Sequence, residues 1–182
     1  IAKELGQMFE LSHDDQFNLA GGSLLHDIGK IGIKDDVLFK PSSLSFEEYT
    51  VMKTHVILGA NIVSQIPNLK RCLEPILFHH ERIDGKGYPH GAQDEDIPFI
   101  AKITSIADAY DAMTTNRVYM PARTPEEGLE EIIRFSGTQF EPKVVEAFVA
   151  WWQQKYKEKD PIINSDLTGK EEDLLIDTSK LH

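Results

Sequence analysis

Three polar signals punctuate this chain and constrain its fold more than any other feature. Ser12 precedes Asp15, Ser45 precedes Glu48, and Thr124-Pro125 precedes Glu127, each just ahead of an apolar run. A hydroxyl at a helix N-cap accepts from the backbone N–H three residues on, and an acidic residue there reaches back to the cap. Behind the first signal, Phe17, Ala20, Leu24 and Ile28 recur at helical spacing, which predicts the inward face of a helix ending near Lys30, where Gly29 and Gly32 weaken it. Behind the second, Tyr49, Met52, Val56, Gly59 and Val63 predict one helix closed by Pro67-Asn68. Further helices are expected from about Leu69 to His80, from Phe99 to Thr115, from Thr124, and from near Pro142 through Val144, Val145 and Phe148 to Trp151-Trp152, a pair read as core or interface. "KDDVLFKPSSL" and "RIDGKGYPHG" read as loops. No strand-like alternation competes. The expected fold class is all-α, a single helical bundle over residues 1–158, with a polar C-terminal extension over 159–182.

Charge and cysteine usage narrow the function classes. The 182 residues carry a net charge of −11, a field that repels nucleic-acid backbones, so DNA is not an expected partner. A phosphate-bearing ligand remains compatible if metal ions supply local positive charge. Cys72 is the only cysteine, so no intrachain disulfide forms and a reducing, cytoplasmic setting is expected. No apolar run approaches the roughly 18 residues of a membrane span, and no membrane contact is expected from this segment. The chain opens "IAKELG", inside helix-like sequence, and is expected to be part of a longer protein carrying an upstream sensor or receiver domain, through which the whole could be membrane-anchored.

Histidine carries the chemistry. His26, His55, His79 and His80 fall at helix positions that otherwise read as interior, whereas His13 sits in a polar cap and His90 and His182 read as surface. His26 is followed at once by Asp27, and Asp108 and Asp111 lie three apart in the apolar run "IAKITSIADAYDAM", hence on one helix face. Buried carboxylates need a compensating charge, which neutral imidazoles cannot supply and a divalent cation can. Mixed imidazole and carboxylate donors suit iron, manganese, cobalt, nickel or zinc better than calcium or magnesium. Six candidate ligands on separate helices point to two divalent metal ions, able to activate a water and clamp both oxygens of an in-line displacement at phosphorus. Lys30 is placed to hold a substrate phosphate or assist the attacking hydroxide, or else is a solvated helix-end lysine.

Taken in order, "LLHDIGKIGI", the histidine of "MKTHV", "HHERIDGKGYP" and "IADAYDAMTTNRVY" resemble the HD-GYP family, a branch of the HD-domain phosphohydrolases, over about Leu24 to Phe148. The resemblance implies an all-α fold and metal-dependent hydrolysis of cyclic di-GMP to the linear dinucleotide and, in some members, GMP. It assigns metal roles to His26, Asp27, His55, His79, His80 and Asp108, with Asp27 bridging and iron or manganese as the usual pair. It makes Lys30 and Arg117 phosphate contacts, has Asp111 orient the Lys30 end of the site, and gives the signature loop, with Gly87 and Tyr88, to the substrate or to a partner such as a diguanylate cyclase domain. Glu81 and Arg82 read as local salt-bridge formers. Two departures stand out. The family places a further ligand histidine at a spacing that falls ahead of Ile1, and Met120 occupies a position where the family often has a basic residue. Two other readings stay open: a non-catalytic cyclic-dinucleotide-binding or interaction module, and a phosphodiesterase for a different cyclic dinucleotide or a nucleotide monophosphate.

Overall fold

A computed structural model describes residues 1–116 and 121–157; Arg117, Met120, His182 and the expected 159–182 extension lie outside them. The described residues form α1 (Ala2–Met8), α2 (His13–Leu25), α3 (Asp35–Leu38), α4 (Phe46–Lys53), α5 (His55–Ser64), α6 (Leu73–Phe78), α7 (Phe99–Thr114), α8 (Pro125–Arg134) and α9 (Pro142–Lys157), with 3-10 turns at Ile28–Gly32, Pro67–Cys72 and Asp94–Asp96. Among these residues no strand forms, only isolated bridges between Asp84 and Gln93 and between Ser136 and Phe140. The fold is all-α. No described helix is long and apolar enough to cross a membrane.

All three cap signals start helices. Ser12 accepts from the Asp15 N–H at 3.1 Å, and Ser45 with Glu48 and Thr124 with Glu127 form complete reciprocal boxes. Each satisfies backbone donors that the first helical turn leaves free.

The apolar core lies where α7 is held between α1, α2, α8 and α9. Leu5, Leu19, Ile103, Ile106, Tyr110, Ile132, Val144 and Phe148 are its most enclosed side chains. Tyr110 meets Phe148 edge-on at 5.0 Å, and the Trp152 indole donates to the Tyr110 hydroxyl at 2.9 Å. Trp151 is buried in this core. A rigid α7 matters for the site because Asp108 projects from it.

The structure redraws several expected elements. Phe17 and Leu24 are not the inward face of α2; they are 54% and 83% exposed. Leu19 and Gly22 face inward instead, because α2 approaches α6 through glycine: a Cβ at Gly22 would lie 2.5 Å from the Pro75 ring. The helix ends at Leu25, not near Lys30, and continues as the 3-10 turn. The helix expected from Ser45 to Val63 breaks at Thr54 into α4 and α5, and the one expected from Leu69 is a 3-10 turn followed by the short α6. The first loop contains α3. These breaks set the directions from which His26, His55 and His79 enter one cleft.

Candidate metal and phosphodiester site

Gly29 brings two walls of the site together. A Cβ on it would lie 1.9 Å from the His55 carbonyl oxygen and 2.4 Å from the Gly59 nitrogen, so only hydrogen permits this approach of the 3-10 turn to α5. The contact sets Asp27, at the head of the turn, against His55, the first residue of α5. A hydrogen bond between the Ser23 and Thr104 hydroxyls, 2.9 Å, ties α2 to α7 on the other side and holds His26 near Asp108.

Three imidazoles are oriented in the same way. His26 Nδ1 lies 2.7 Å from the Ser23 carbonyl, His55 Nδ1 2.8 Å from that of Met52, and His79 Nδ1 3.0 Å from those of both Pro75 and Ile76. A carbonyl only accepts, so each Nδ1 carries a proton and each Nε2 faces the cleft, its lone pair free when the ring is neutral. Such second contacts fix the tautomer of a metal-ligating histidine.

Three of the inward atoms are left without partners: His55 Nε2, His79 Nε2 and Asp27 Oδ1 are buried with no hydrogen bond among the described residues. His55 Nε2 and Asp27 Oδ1 face each other at 3.4 Å, two acceptors with nothing between them. An unsatisfied buried polar atom costs about 1–3 kcal/mol, a cost that a cation held between the two relieves. His26 Nε2 lies 3.4 Å from Asp27 Oδ2 and 3.3 Å from Asp108 Oδ1. These separations suit neighbouring donors that each stand about 2.1 Å from one ion. The donor set therefore fits a divalent transition metal.

Two donor groups overlap. His55, His79 and His80 form one, and His26, His79 and Asp108 the other, the ligand atoms of each lying within 4.8 Å of one another. Asp27 reaches toward both, with Oδ1 toward His55 and Oδ2 toward His26. His26, Asp27, His55, His79, His80 and Asp108 thus converge in one cleft.

Electrostatics follow from burial and neighbours. Burial opposes a charge on His26, but the Asp108 and Asp27 carboxylates overcome it and raise its pKa to about 10. Without metal, a proton sits where a cation is wanted. Burial, with the neighbouring cationic imidazole, lowers His79 to about 4; burial and His79 lower His80 to about 3; burial also lowers His55. Against the effect of burial, His26 and Lys30 hold Asp27 well below the usual carboxylate range, and His26 holds Asp108 down as well. His55, His79 and His80 thus present neutral imidazoles beside ionised carboxylates, the forms that ligate metals, and His26 has to release its proton before it can join them.

Lys30 Nζ donates to Asp27 Oδ2 at 2.6 Å. Asp111 lies one turn beyond Asp108, is exposed, and has its carboxylate 3.4 Å from the Thr115 hydroxyl; the described contacts of Lys30 are with Asp27 rather than with Asp111.

The signature loop forms a further wall. Tyr88 stacks on His80 with centroids 4.8 Å apart, its N–H donates to the His80 carbonyl at 3.2 Å, and the Tyr88-Pro89 peptide is cis. Burial, then Tyr49, pushes the Tyr88 hydroxyl far up in pKa, so it stays neutral. A Cβ on Gly87 would lie 2.4 Å from the Glu81 Cα, the close approach that glycine permits. Arg82 pairs with Asp84 as a local salt bridge, at 2.9 and 2.7 Å. Glu81 does not form one. Its buried carboxylate accepts from the His90 N–H at 2.6 Å and the Ala92 N–H at 3.1 Å, clamping the loop from beneath. Sequence reasoning missed this role; a glutamate directly after two interior histidines was the available signal.

The family profile described as "HD domain" matches residues 1–144. The chain belongs to the HD domain family. Its histidines, aspartates and signature loop place this HD domain in the HD-GYP branch. It is 42% identical over 151 residues to a cyclic di-GMP phosphodiesterase of Thermotoga maritima, covering 82% of this chain and 40% of that protein. It is 35% identical over 154 residues to a 3'3'-cGAMP-specific phosphodiesterase of Vibrio cholerae, covering 84% and 30%. The HD domain thus spans well under half the length of these relatives. A solved structure of a cyclic GMP-AMP specific phosphodiesterase of V. cholerae superimposes with a TM-score of 0.62 at 22% identity, over 87% of this chain and 42% of that one, a likeness of fold.

Proposed function

We propose that this HD domain is a metal-dependent phosphodiesterase that hydrolyses cyclic di-GMP to the linear dinucleotide, and onward to GMP in so far as the product rebinds. One observation carries the reading: Asp27 Oδ1, His55 Nε2 and His79 Nε2 are buried in the cleft with no hydrogen-bond partner among the described residues, inside two overlapping groups of His and Asp donors. His26, Asp27, His55, His79, His80 and Asp108 would hold two divalent ions, iron or manganese. Asp27 would be the ligand shared between them, since its two oxygens point to opposite donor groups, whereas an imidazole Nε2 has a single lone pair to give. When bound, the ions supply positive charge for the phosphoryl oxygens and a water deprotonated near neutral pH.

The chain's own groups do the rest. Lys30, anchored on Asp27, carries an ammonium to a phosphate oxygen as negative charge builds in the transition state. Tyr88, fixed on His80, presents a neutral hydroxyl and a ring edge to the substrate, and Gly87 lets the loop backbone come close. Arg117 serves as a second phosphate contact, and Asp111 acts from the exposed end of α7. The names of the relatives support cyclic dinucleotides as the substrate class, and the 3'3'-cGAMP-specific one makes that nucleotide the competing substrate. In a longer protein, the domain would sit in the cytoplasm as an output module, with the signature loop available to a diguanylate cyclase domain.

The test joins elemental analysis to turnover on one anaerobically purified sample, with cyclic di-GMP and 3'3'-cGAMP compared by chromatography. Bound metal and preferential cleavage of cyclic di-GMP are expected, and His79→Ala should lose both. Full metal content with binding but no cleavage would make the domain a receptor instead.

A further inference from the structure

One half-buried cation near the cleft has no carboxylate partner among the described residues. Among described side chains, four lysines are half-buried: Lys30, Lys40, Lys53 and Lys102. Lys30 pairs with Asp27, Lys40 with Glu48, and Lys102 with Asp94 and Glu141. Lys53 alone meets no described carboxylate, in a chain of net charge −11. Its ammonium lies instead 5.2 Å from the Tyr49 ring centroid and 5.8 Å from that of Tyr88. The two rings meet edge-on at 6.5 Å. Two aromatic faces attract the ammonium without neutralising it, and they restrict its side chain, so part of the ordering cost of binding is met in advance.

The placement is what gives this cation a role. Lys53 ends α4 two residues before His55, and Tyr88 connects it to His80, while Lys30 stands at the Asp27 end of the donor cluster. One ammonium group thus contacts the donor cluster at Asp27 and the other approaches it through the ring stacked on His80. A cyclic dinucleotide carries two phosphodiesters and two purines, of which one phosphodiester occupies the donor cluster at a time. The other half has to rest on the rim of a domain whose overall field repels it. Tyr49, 47% exposed, offers a ring on which a base can stack.

We propose that Lys53 and Tyr49 form the subsite for the nucleotide half not being cleaved, Lys53 pairing with its phosphate and Tyr49 stacking its purine. This rests on the phosphodiesterase reading above. It makes Lys53 a selector for ligands with two phosphates over ligands with one.

The test compares cyclic di-GMP with bis(p-nitrophenyl) phosphate, a diester with a single phosphate, on the metal-loaded protein. Lys53→Met keeps the stem that packs on the tyrosines and removes the charge. KM for cyclic di-GMP should rise about 10-fold or more with kcat within about twofold, the preference over the small diester should fall by the same factor, and Lys53→Arg should restore it. Tyr49→Leu should raise KM in the same direction. An unchanged preference, or equal losses on both substrates, would overturn the proposal, the latter making Lys53 a packing residue. Calorimetric binding of cyclic di-GMP decides the case where the wild-type protein turns over neither substrate. Weaker binding by Lys53→Met would then uphold the subsite while the catalytic reading fails, and equal binding or none would reject it.

Discussion

Removing the Glu81 carboxylate should release the signature loop while leaving the core intact. Glu81 is 3% exposed and accepts from two backbone N–H groups, those of His90 and Ala92, at 2.6 and 3.1 Å. Hydrogen bonds to an ionised group contribute about 1.5–3 kcal/mol each. His90 is exposed, so water recovers part of its loss in Glu81→Ala, and a net cost of about 3 kcal/mol for holding the loop closed is a fair working value. At 1.36 kcal/mol per factor of ten, that corresponds to roughly a hundredfold increase in loop opening. The assay is native-state hydrogen exchange. The His90 and Ala92 amides should exchange about 10²-fold faster in Glu81→Ala, and by a smaller factor in Glu81→Gln, which keeps one acceptor oxygen. Amides around Ile103 and Phe148 should be little affected, because they lie in the α7 and α9 core. Turnover should fall as Tyr88 leaves the face of His80. If His90 and Ala92 keep wild-type protection, the clamp is not what holds the loop, and the reasoning fails.

Three other outcomes are expected. Lys30→Ala should retain bound metal yet lower turnover about 10²-fold, as the loss of a group acting on transition-state charge does; wild-type kinetics would return Lys30 to a structural partner of Asp27. Gly29→Ala should force the 3-10 turn away from α5, since its methyl would sit 1.9 Å from the His55 carbonyl. A cost of about 3 kcal/mol and a melting temperature lower by several degrees are expected, and an unshifted melt would refute that close contact. Chelated protein should be most stable near pH 6.5. His26, raised to about 10 by its carboxylate neighbours against burial, contributes stability that is full below its unfolded value and is lost as pH climbs through 10. His79 and His80, lowered by burial to about 4 and about 3, bind protons more readily when unfolded and so cost stability as pH drops below 6.5. Urea midpoints across pH 4–10 measure this, and a midpoint rising steadily from neutral pH to 10 would contradict the His26 assignment.

Which parts of the fold are readable in the sequence depends on the range of the forces that set them. Ser45 with Glu48 and Thr124 with Glu127 announce helix starts because a cap involves atoms only three residues apart. The glycine-rich loop and the helical period of α7 are equally local. The inward face of α2 is not. Phe17 and Leu24 have the right spacing and are exposed, since Gly22 allows Pro75 of another helix to lie against the opposite face. The breaks at Leu25 and Thr54 also escape a periodicity argument, for hydrophobic spacing runs straight across both.

The same division holds at the site. Adjacent His26-Asp27, adjacent His79-His80 and the α7 aspartates mark a candidate metal-type donor set from residue chemistry alone, because buried carboxylates need compensating charge and mixed imidazole and carboxylate donors suit a divalent cation. Tertiary structure decided that six such groups meet in one cleft, that His26, His55 and His79 turn Nε2 inward, and that Glu81 clamps the loop beneath Tyr88. It also decided that Lys53 meets no carboxylate among the described residues. Each of these depends on which segments, up to about 80 residues apart, pack side by side, and that is settled by the fit of surfaces such as Gly29 against α5, a term no local pattern contains.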